Sequence, residues 1–207
     1  VGYTLDPSIT TRPNLILNNT QILNMSYIGL IGIDADIKAI NTVVANCGDH
    51  TLALVLGGEY DFKHCTFANY WSENPRSKPV MLLSNFSESS TGQVFKRSLN
   101  AYFGNSIVHG NLDSEFQRKR VLGSDFNFVF DHVILKLDTE NVSNTTQFAA
   151  IFKTPSAALF SNPASQDYSL SNDALAIDNG IDLGILKDLK GKDRVNKPDL
   201  GAFEFVN

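Results

Sequence analysis

The chain contains little cysteine, a single tryptophan and no long hydrophobic run. Two cysteines, Cys47 and Cys65, are too few for a disulfide-dense scaffold, and no CxxC or clustered Cys/His spacing predicts a metal centre. No stretch approaches the roughly 18 apolar residues of a transmembrane helix. There is no Walker or GxGxxG loop for a nucleotide cofactor and no GxSxG elbow for a nucleophilic serine. A net charge of −5 argues against nucleic acid as a main partner, since phosphate binding requires a basic face.

What is present fits one folded domain over residues 1–207. Hydrophobic residues make up 43% of the chain and charged residues 19%, so a sizeable core is expected and disorder is not. The first residues, VGYT, include neither a methionine nor a signal peptide. We therefore expect a processed or trimmed piece of a longer protein, whose missing N-terminal portion the sequence does not identify.

Five segments of ten residues share one pattern. Positions one, three and eight are mostly apolar, and position six is small in all but one segment, so the alternation changes from odd to even. Two strands that meet at a bend explain this change, whereas one flat strand does not. The segments are LILNNTQILN (15–24), IKAINTVVAN (37–46), YDFKHCTFAN (60–69), AYFGNSIVHG (101–110) and FVFDHVILKL (128–137).

The spacing of the segments predicts an all-β fold, a parallel β-helix. They begin 22, 23, 41 and 27 residues apart, and a coil of roughly twenty-odd residues per turn is typical of such solenoids. We expect rungs over about 15–160, further strands within 27–33 and 51–56, and turn insertions around 71–95 and 111–125. The repeat places Cys47 and Cys65 in different columns, which predicts two free, buried thiols.

The fifth position of the repeat predicts a bend stabilised by amide side chains. Asparagine tolerates unusual backbone angles and can bond to neighbouring backbone, and stacked asparagines form a ladder. We interpret this column as structural. Its members are Asn19, Asn41, His64, Asn105 and His132.

The C-terminal segment, residues 161–207, contains three motifs that resemble the C-terminal ending of a known protein family. It reads DYSLSNDALAIDNG (167–180), DLKGKDR (188–194) and PDLGAFEF (198–205). These motifs are similar to the ending of right-handed parallel β-helix proteins of the pectate-lyase-like superfamily, of the type secreted by Bacteroidetes, although Asp173–Leu175 departs from the usual S-P region. The resemblance implies a secreted, periplasmic or cell-surface protein and says little about chemistry. We expect the segment to cap one end of the coil, with a calcium site as the alternative reading of its carboxylates.

A polar patch is predicted on the outward face of the first strand of each segment. Because neighbouring strands lie about 4.8 Å apart, outward side chains of successive rungs come together. Carboxylates and lysines there could provide the acid, base and cation that a polysaccharide lyase or glycoside hydrolase needs, or could be solvated ion pairs. The candidates are Lys38, Asp61, Lys63, Tyr102 and Asp131, with Asp61, Lys63 and Asp131 as possible catalytic groups.

The loop NYWSENPRSKP (69–79) predicts a carbohydrate contact. Tyr70 and Trp71 could stack on sugar rings, and Arg76 with Lys78 could pair with acidic glycans. The alternative is that the aromatic rings only hold the loop on the domain. Near the next insertion, a further candidate group comprises His109, Asp113, Glu115 and Arg118.

Three functions remain open from the sequence. The first is glycan binding or scaffolding through the loop around Trp71, and the second is a lyase or glycosidase on the sheet that carries Asp61 and Lys63. The third is a structural, adhesin-like surface module. The partner expected in the first two cases is a polysaccharide or a cell-surface glycan, and neither the oligomeric state nor a cofactor is indicated.

Overall fold

A computed structural model describes residues 11–138, 142–153, 158–195 and 197–206. The fold is all-β, and twelve strands form one large curled sheet whose pairs are parallel. The strands are β1 (Asn14–Asn18), β2 (Gln21–Met25), β3 (Leu30–Ile40), β4 (Val43–Cys47), β5 (Leu52–Lys63), β6 (Thr66–Asn69), β7 (Met81–Ser84), β8 (Phe86–Glu88), β9 (Val94–Lys96), β10 (Leu99–Gly104), β11 (Ile107–Gly110), β12 (Phe116–Lys119), β13 (Phe126–Leu135), β14 (Phe148–Lys153), β15 (Phe160–Asn162) and β16 (Asp167–Leu170).

The strand register confirms the alignment of the five segments. In the first ladder, formed by β1, β3, β5, β10, β13 and β14, Leu15 pairs with Ile37 and Ile37 with Tyr60. Ala101 then pairs with both Tyr60 and Phe128. Each column of the repeat is therefore a row of stacked residues, as the sequence predicts.

Two more parallel ladders complete the sheet. The second joins β2, β4, β6, β11 and the end of β13. The third joins the beginnings of β3 and β5 to β7 and β12. The segments 71–95 and 111–125 are thus only partly insertions, since each contributes a strand to the third ladder. Strands of four residues, MLLS and FQRK, are too short for their alternation to stand out. The antiparallel pair β8–β9 does project from the repeat.

Left-handed backbone marks the bend between the first and second ladders. All five residues at position five have a φ between 47° and 55°. The Asn41 amide donates to Asn19 Oδ1 at 3.0 Å, and the Asn105 amide donates to His64 Nε2 at 3.0 Å. The column predicted to be structural therefore forms hydrogen-bonded steps at the bend.

The core lies between the ladders and is rich in stacked aromatic rings. Phe62, Phe103 and Phe130 occupy one row of the first ladder, with centroids 5.1 Å and 5.0 Å apart. Both cysteines are free and buried, as expected, and burial raises the pKa of Cys47 to about 11 and that of Cys65 to about 12. These thiols are packing groups, because the reactive thiolate is disfavoured.

The C-terminal segment lies along the side of the second ladder. Asn105 donates to the Ile181 carbonyl at 2.6 Å, and Asn41 donates to the Lys187 carbonyl at 2.7 Å. The Ala202 N–H donates to Thr66 Oγ1 at 3.0 Å. Asn41, Thr66 and Asn105 belong to three different repeats, so the segment runs across the side of the stacked strands, whereas we expected it at one end.

The second ladder explains this position. Both faces of its strands are apolar: one face packs into the core between the ladders, and the other needs its own cover. The C-terminal segment supplies that cover with Tyr168, Leu170, Leu200 and Phe203 among others. The covered side chains are Val43, Ala45, Ala68, Ile107 and Ile134.

Candidate functional site

The polar patch forms on the outer face of the first ladder. Lys38 is directly beside Asp61, and Tyr102 is directly beside Asp61 on the next strand. Asp61 Oδ2 pairs with Lys63 Nζ at 3.1 Å. Lys38 is exposed, and the other members are partly exposed. The five predicted residues therefore occupy neighbouring strands of one face.

A hydrogen-bonded chain of three residues lies within this patch. The Tyr102 hydroxyl donates to Asp131 Oδ2 at 3.2 Å, and Asp131 Oδ1 lies 2.8 Å from His132 Nδ1. Burial, followed by the charge of Asp131, raises the pKa of Tyr102 to about 12, so its hydroxyl keeps its proton at neutral pH. The chain places a proton donor, a carboxylate and an imidazole side by side.

Two acidic residues of the same face were missed by the sequence analysis. Asp36 and Glu59 are partners in the register and stand one residue before the aligned segments begin. Asn100 continues this row and donates to Glu59 Oε1 at 2.9 Å. An alignment extended by one residue toward the N-terminus would have found the row.

The loop after β6 turns the polar atoms of its two aromatic residues inward. The Tyr70 hydroxyl lies 2.8 Å from His109 Nδ1. Burial, together with the charge of Lys136, lowers the pKa of His109 to about 4, and burial raises the pKa of Tyr70. The neutral imidazole can therefore accept from the hydroxyl. Trp71 Nε1 is also buried. Both rings consequently offer carbon surface at the protein exterior.

Arg76 is part of an internal ion pair. Its guanidinium lies 2.6 Å and 2.9 Å from the two oxygens of Glu115, and the two side chains are 2% and 0% exposed. Arg76 Nη2, which donates to Glu115 Oε1, also donates to Asn111 Oδ1 at 2.6 Å. The two loops that we considered separately are thus joined through Tyr70–His109 and Arg76–Glu115. The pairing required tertiary information, since the partners are 39 residues apart.

The two aromatic rings line a cleft of about 310 Å³. Asn24 and Asn46 line the same cleft, at equivalent positions of β2 and β4 between the pairs Leu23–Ala45 and Met25–Cys47. Parallel strands lie about 4.8 Å apart, which sets the spacing of these amides. Trp71 packs its indole against Gly48, where a Cβ would lie 3.7 Å from Cε2. The full lining is Asn24, Asn46, Tyr70, Trp71, Ser72, Glu73, Ala164 and Gln166.

The carboxylates of the C-terminal segment are occupied by backbone donors. Asp188 accepts from the N–H groups of Lys190, Lys192 and Glu204, with distances between 2.7 Å and 2.9 Å. Glu204 accepts from Arg194 and from the Asp199 N–H. Within the described ranges, no group of three or more His, Cys, Asp or Glu side chains is placed to hold a metal ion. These acids bind the segment's own backbone.

The described residues contain no helix that is long and apolar enough to cross a bilayer.

Comparisons of the chain with protein-family models, with curated proteins and with solved structures found no match in any of the three.

Proposed function

We propose that this chain is a carbohydrate-binding section of a right-handed parallel β-helix of the pectate-lyase-like type, acting outside the cytoplasm. The three parallel ladders with bends between them support the solenoid, since successive turns of one coil would produce such stacks. The resemblance of the C-terminal motifs supports the location. The cleft beside Trp71 is the proposed binding site.

The observation that carries the binding proposal is the pairing of aromatic carbon surface with side-chain amides across one cleft. Sugars present apolar C–H faces and a rim of hydroxyls, so their binding sites combine aromatic rings with a few placed polar groups. Tyr70 and Trp71 supply the rings, while Asn24 and Asn46 supply donors and acceptors on stacked rungs. The cleft volume of about 310 Å³ suits one or two sugar units.

Retention by immobilised polysaccharide tests this proposal. Native gels cast with plant, bacterial or host polysaccharides should slow the wild-type chain in at least one case. Trp71→Ala should abolish that retardation, because it removes most of the apolar wall. The matched control is Tyr27→Ala, since Tyr27 is an aromatic residue that is 66% exposed and does not line the cleft. Equal retardation of wild type and Trp71→Ala would rule out the site.

A second candidate function is cleavage of a polysaccharide on the polar patch. The chain Tyr102–Asp131–His132 favours it, because a carboxylate that orients an imidazole beside a protonated phenol can serve acid–base chemistry. In one strand, the Cα atoms of Glu59 and Asp61 are about 7 Å apart and their side chains lie on the same face, so two carboxyl groups are neighbours there, as glycosidases require.

Product analysis separates the enzymatic candidate from pure binding. New reducing ends would indicate cleavage, and ultraviolet absorbance of unsaturated uronates would identify a lyase. Asp131→Asn should then reduce the rate at least about a hundredfold, since it removes the negative charge and leaves one oxygen where Tyr102 and His132 now have two. Asp193→Asn, at a side chain 71% exposed elsewhere, is the control. Activity that survives Asp131→Asn would exclude this patch.

A further inference from the structure

The charge of the cleft beside Trp71 is set by one acidic residue. Among the eight residues that line it, Glu73 is the only one that carries a formal charge. No lysine or arginine of the described chain belongs to the lining. Glu73 is exposed at the cleft border, in the same loop as the aromatic residues. An anionic sugar in the cleft would therefore meet a like charge, with no lysine or arginine among the lining residues of the described chain.

The arginine of this loop is not available to compensate. Arg76 directs its guanidinium at both oxygens of Glu115 and at Asn111, and its side chain is 2% exposed. Withdrawing it for a ligand would leave the Glu115 carboxylate, which is fully buried, without its cation. Lys78 is exposed but lies outside the lining. Arg76 and Lys78, from which the sequence predicted an acidic glycan, are therefore not among the residues that line the cleft.

The remaining polar groups match neutral hydroxyls. Asn24, Asn46 and Gln166 each offer an amide that can donate and accept, as sugar hydroxyls also do. Asn46 uses its oxygen to accept from the Tyr70 N–H at 3.2 Å, which orients its amide nitrogen as the available donor. A uronate carboxylate would need several such donors to replace its hydration shell, and Glu73 opposes it.

We propose that the cleft selects neutral glycan chains over polyuronates and other polyanionic chains. This inference rests on the proposed binding function and assigns its ligand class. The selection is a matter of charge: Glu73 repels the anion, and the buried Arg76–Glu115 pair withholds the cation that would attract it. The aromatic surface and the amides bind both classes alike.

Titration with matched oligosaccharides tests the selectivity. The probes are hexamers of β-1,4-linked glucose, mannose and xylose, compared by calorimetry with hexagalacturonate of equal length at low salt. We expect at least one neutral hexamer to bind and hexagalacturonate to bind about tenfold or more weakly than it. Glu73→Lys should raise the affinity for hexagalacturonate about tenfold and leave the neutral hexamer within about twofold.

A charge-matched variant makes the result specific to the cleft. Glu88→Lys changes the net charge equally, at an exposed residue outside the lining, and should leave the selectivity unchanged. Wild-type binding of hexagalacturonate as tight as that of the neutral hexamers would overturn the inference while the binding function stands. If none of the four hexamers binds, the inference fails, and the binding function fails with it when no polysaccharide retards the chain in native gels.

Discussion

At the scale of single residues, the fifth position of the repeat shows how backbone conformation limits the residue type. Asparagine recurs at Asn19, Asn41 and Asn105 because its short amide tolerates the left-handed backbone found there. His64 takes the same conformation with a φ of 52°, is fully buried and accepts from the Asn105 amide. The repeat therefore indicates that asparagine could replace this histidine.

His64→Asn should preserve the free energy of unfolding to within about 1 kcal/mol, because asparagine suits the backbone and can accept from Asn105. His64→Ala should cost about 2 kcal/mol, since alanine is strained at positive φ and removes one of the two acceptors of that amide, the other being the Ile181 carbonyl. Urea unfolding of both variants beside wild type measures the difference. Equal losses in the two variants would contradict the role assigned to the column.

At the scale of elements, the loops after β6 and β11 behave as one unit. The Arg76–Glu115 pair joins them, and Tyr70 of the first loop also contacts His109 of β11. Glu115 also accepts from the Val80 N–H at 2.9 Å and from the Leu112 N–H at 2.8 Å. This carboxylate therefore holds backbone on both sides, and the position of Trp71 depends on it indirectly.

Breaking this pair from one side should be costly. Arg76→Met leaves a buried carboxylate without its cation and should lower the free energy of unfolding by about 3–5 kcal/mol. Lys187→Met, which removes an ion pair whose side chains are 61% and 71% exposed, is the control and should cost at most about 1 kcal/mol. The double variant Arg76→Met with Glu115→Gln should recover about 1–3 kcal/mol relative to additivity. Additive losses would mean that the two side chains do not interact energetically, which would contradict the role assigned to the pair.

At the scale of the whole molecule, the repeat predicted the first two ladders because their columns pack in register and demand the same residue types. The third ladder and the position of the C-terminal segment depend on contacts between segments that the repeat does not contain. Met81–Ser84 forms a strand beside β5, and Phe116–Lys119 forms one beside Met81–Ser84. Their own patterns are too short to predict either strand. The side-lying C-terminal segment follows from apolar residues on both faces of the second ladder, a signal that was present at Val43 and Ala45.

The candidate site was predicted in part. The sequence identified the aromatic pair and the polar patch, since exposed aromatic residues and outward charges can be read from position. It did not identify Asn24 and Asn46 as lining the cleft, because the repeat does not show which loop packs beside them. It also assigned Arg76 to a ligand, whereas the distant Glu115 engages it. Charges that neutralise each other across 39 residues cannot be paired from one sequence.

The most direct measurement of the binding proposal uses the fluorescence of Trp71, which is the only tryptophan in the chain and lines the proposed cleft. The protein would be titrated with a polysaccharide that retards it in native gels, and with the neutral hexamers. We predict a saturable change in emission intensity and wavelength, which Asn24→Ala with Asn46→Ala weakens about tenfold or more. Saturable binding by calorimetry with unchanged tryptophan emission would place the glycan elsewhere and contradict the account.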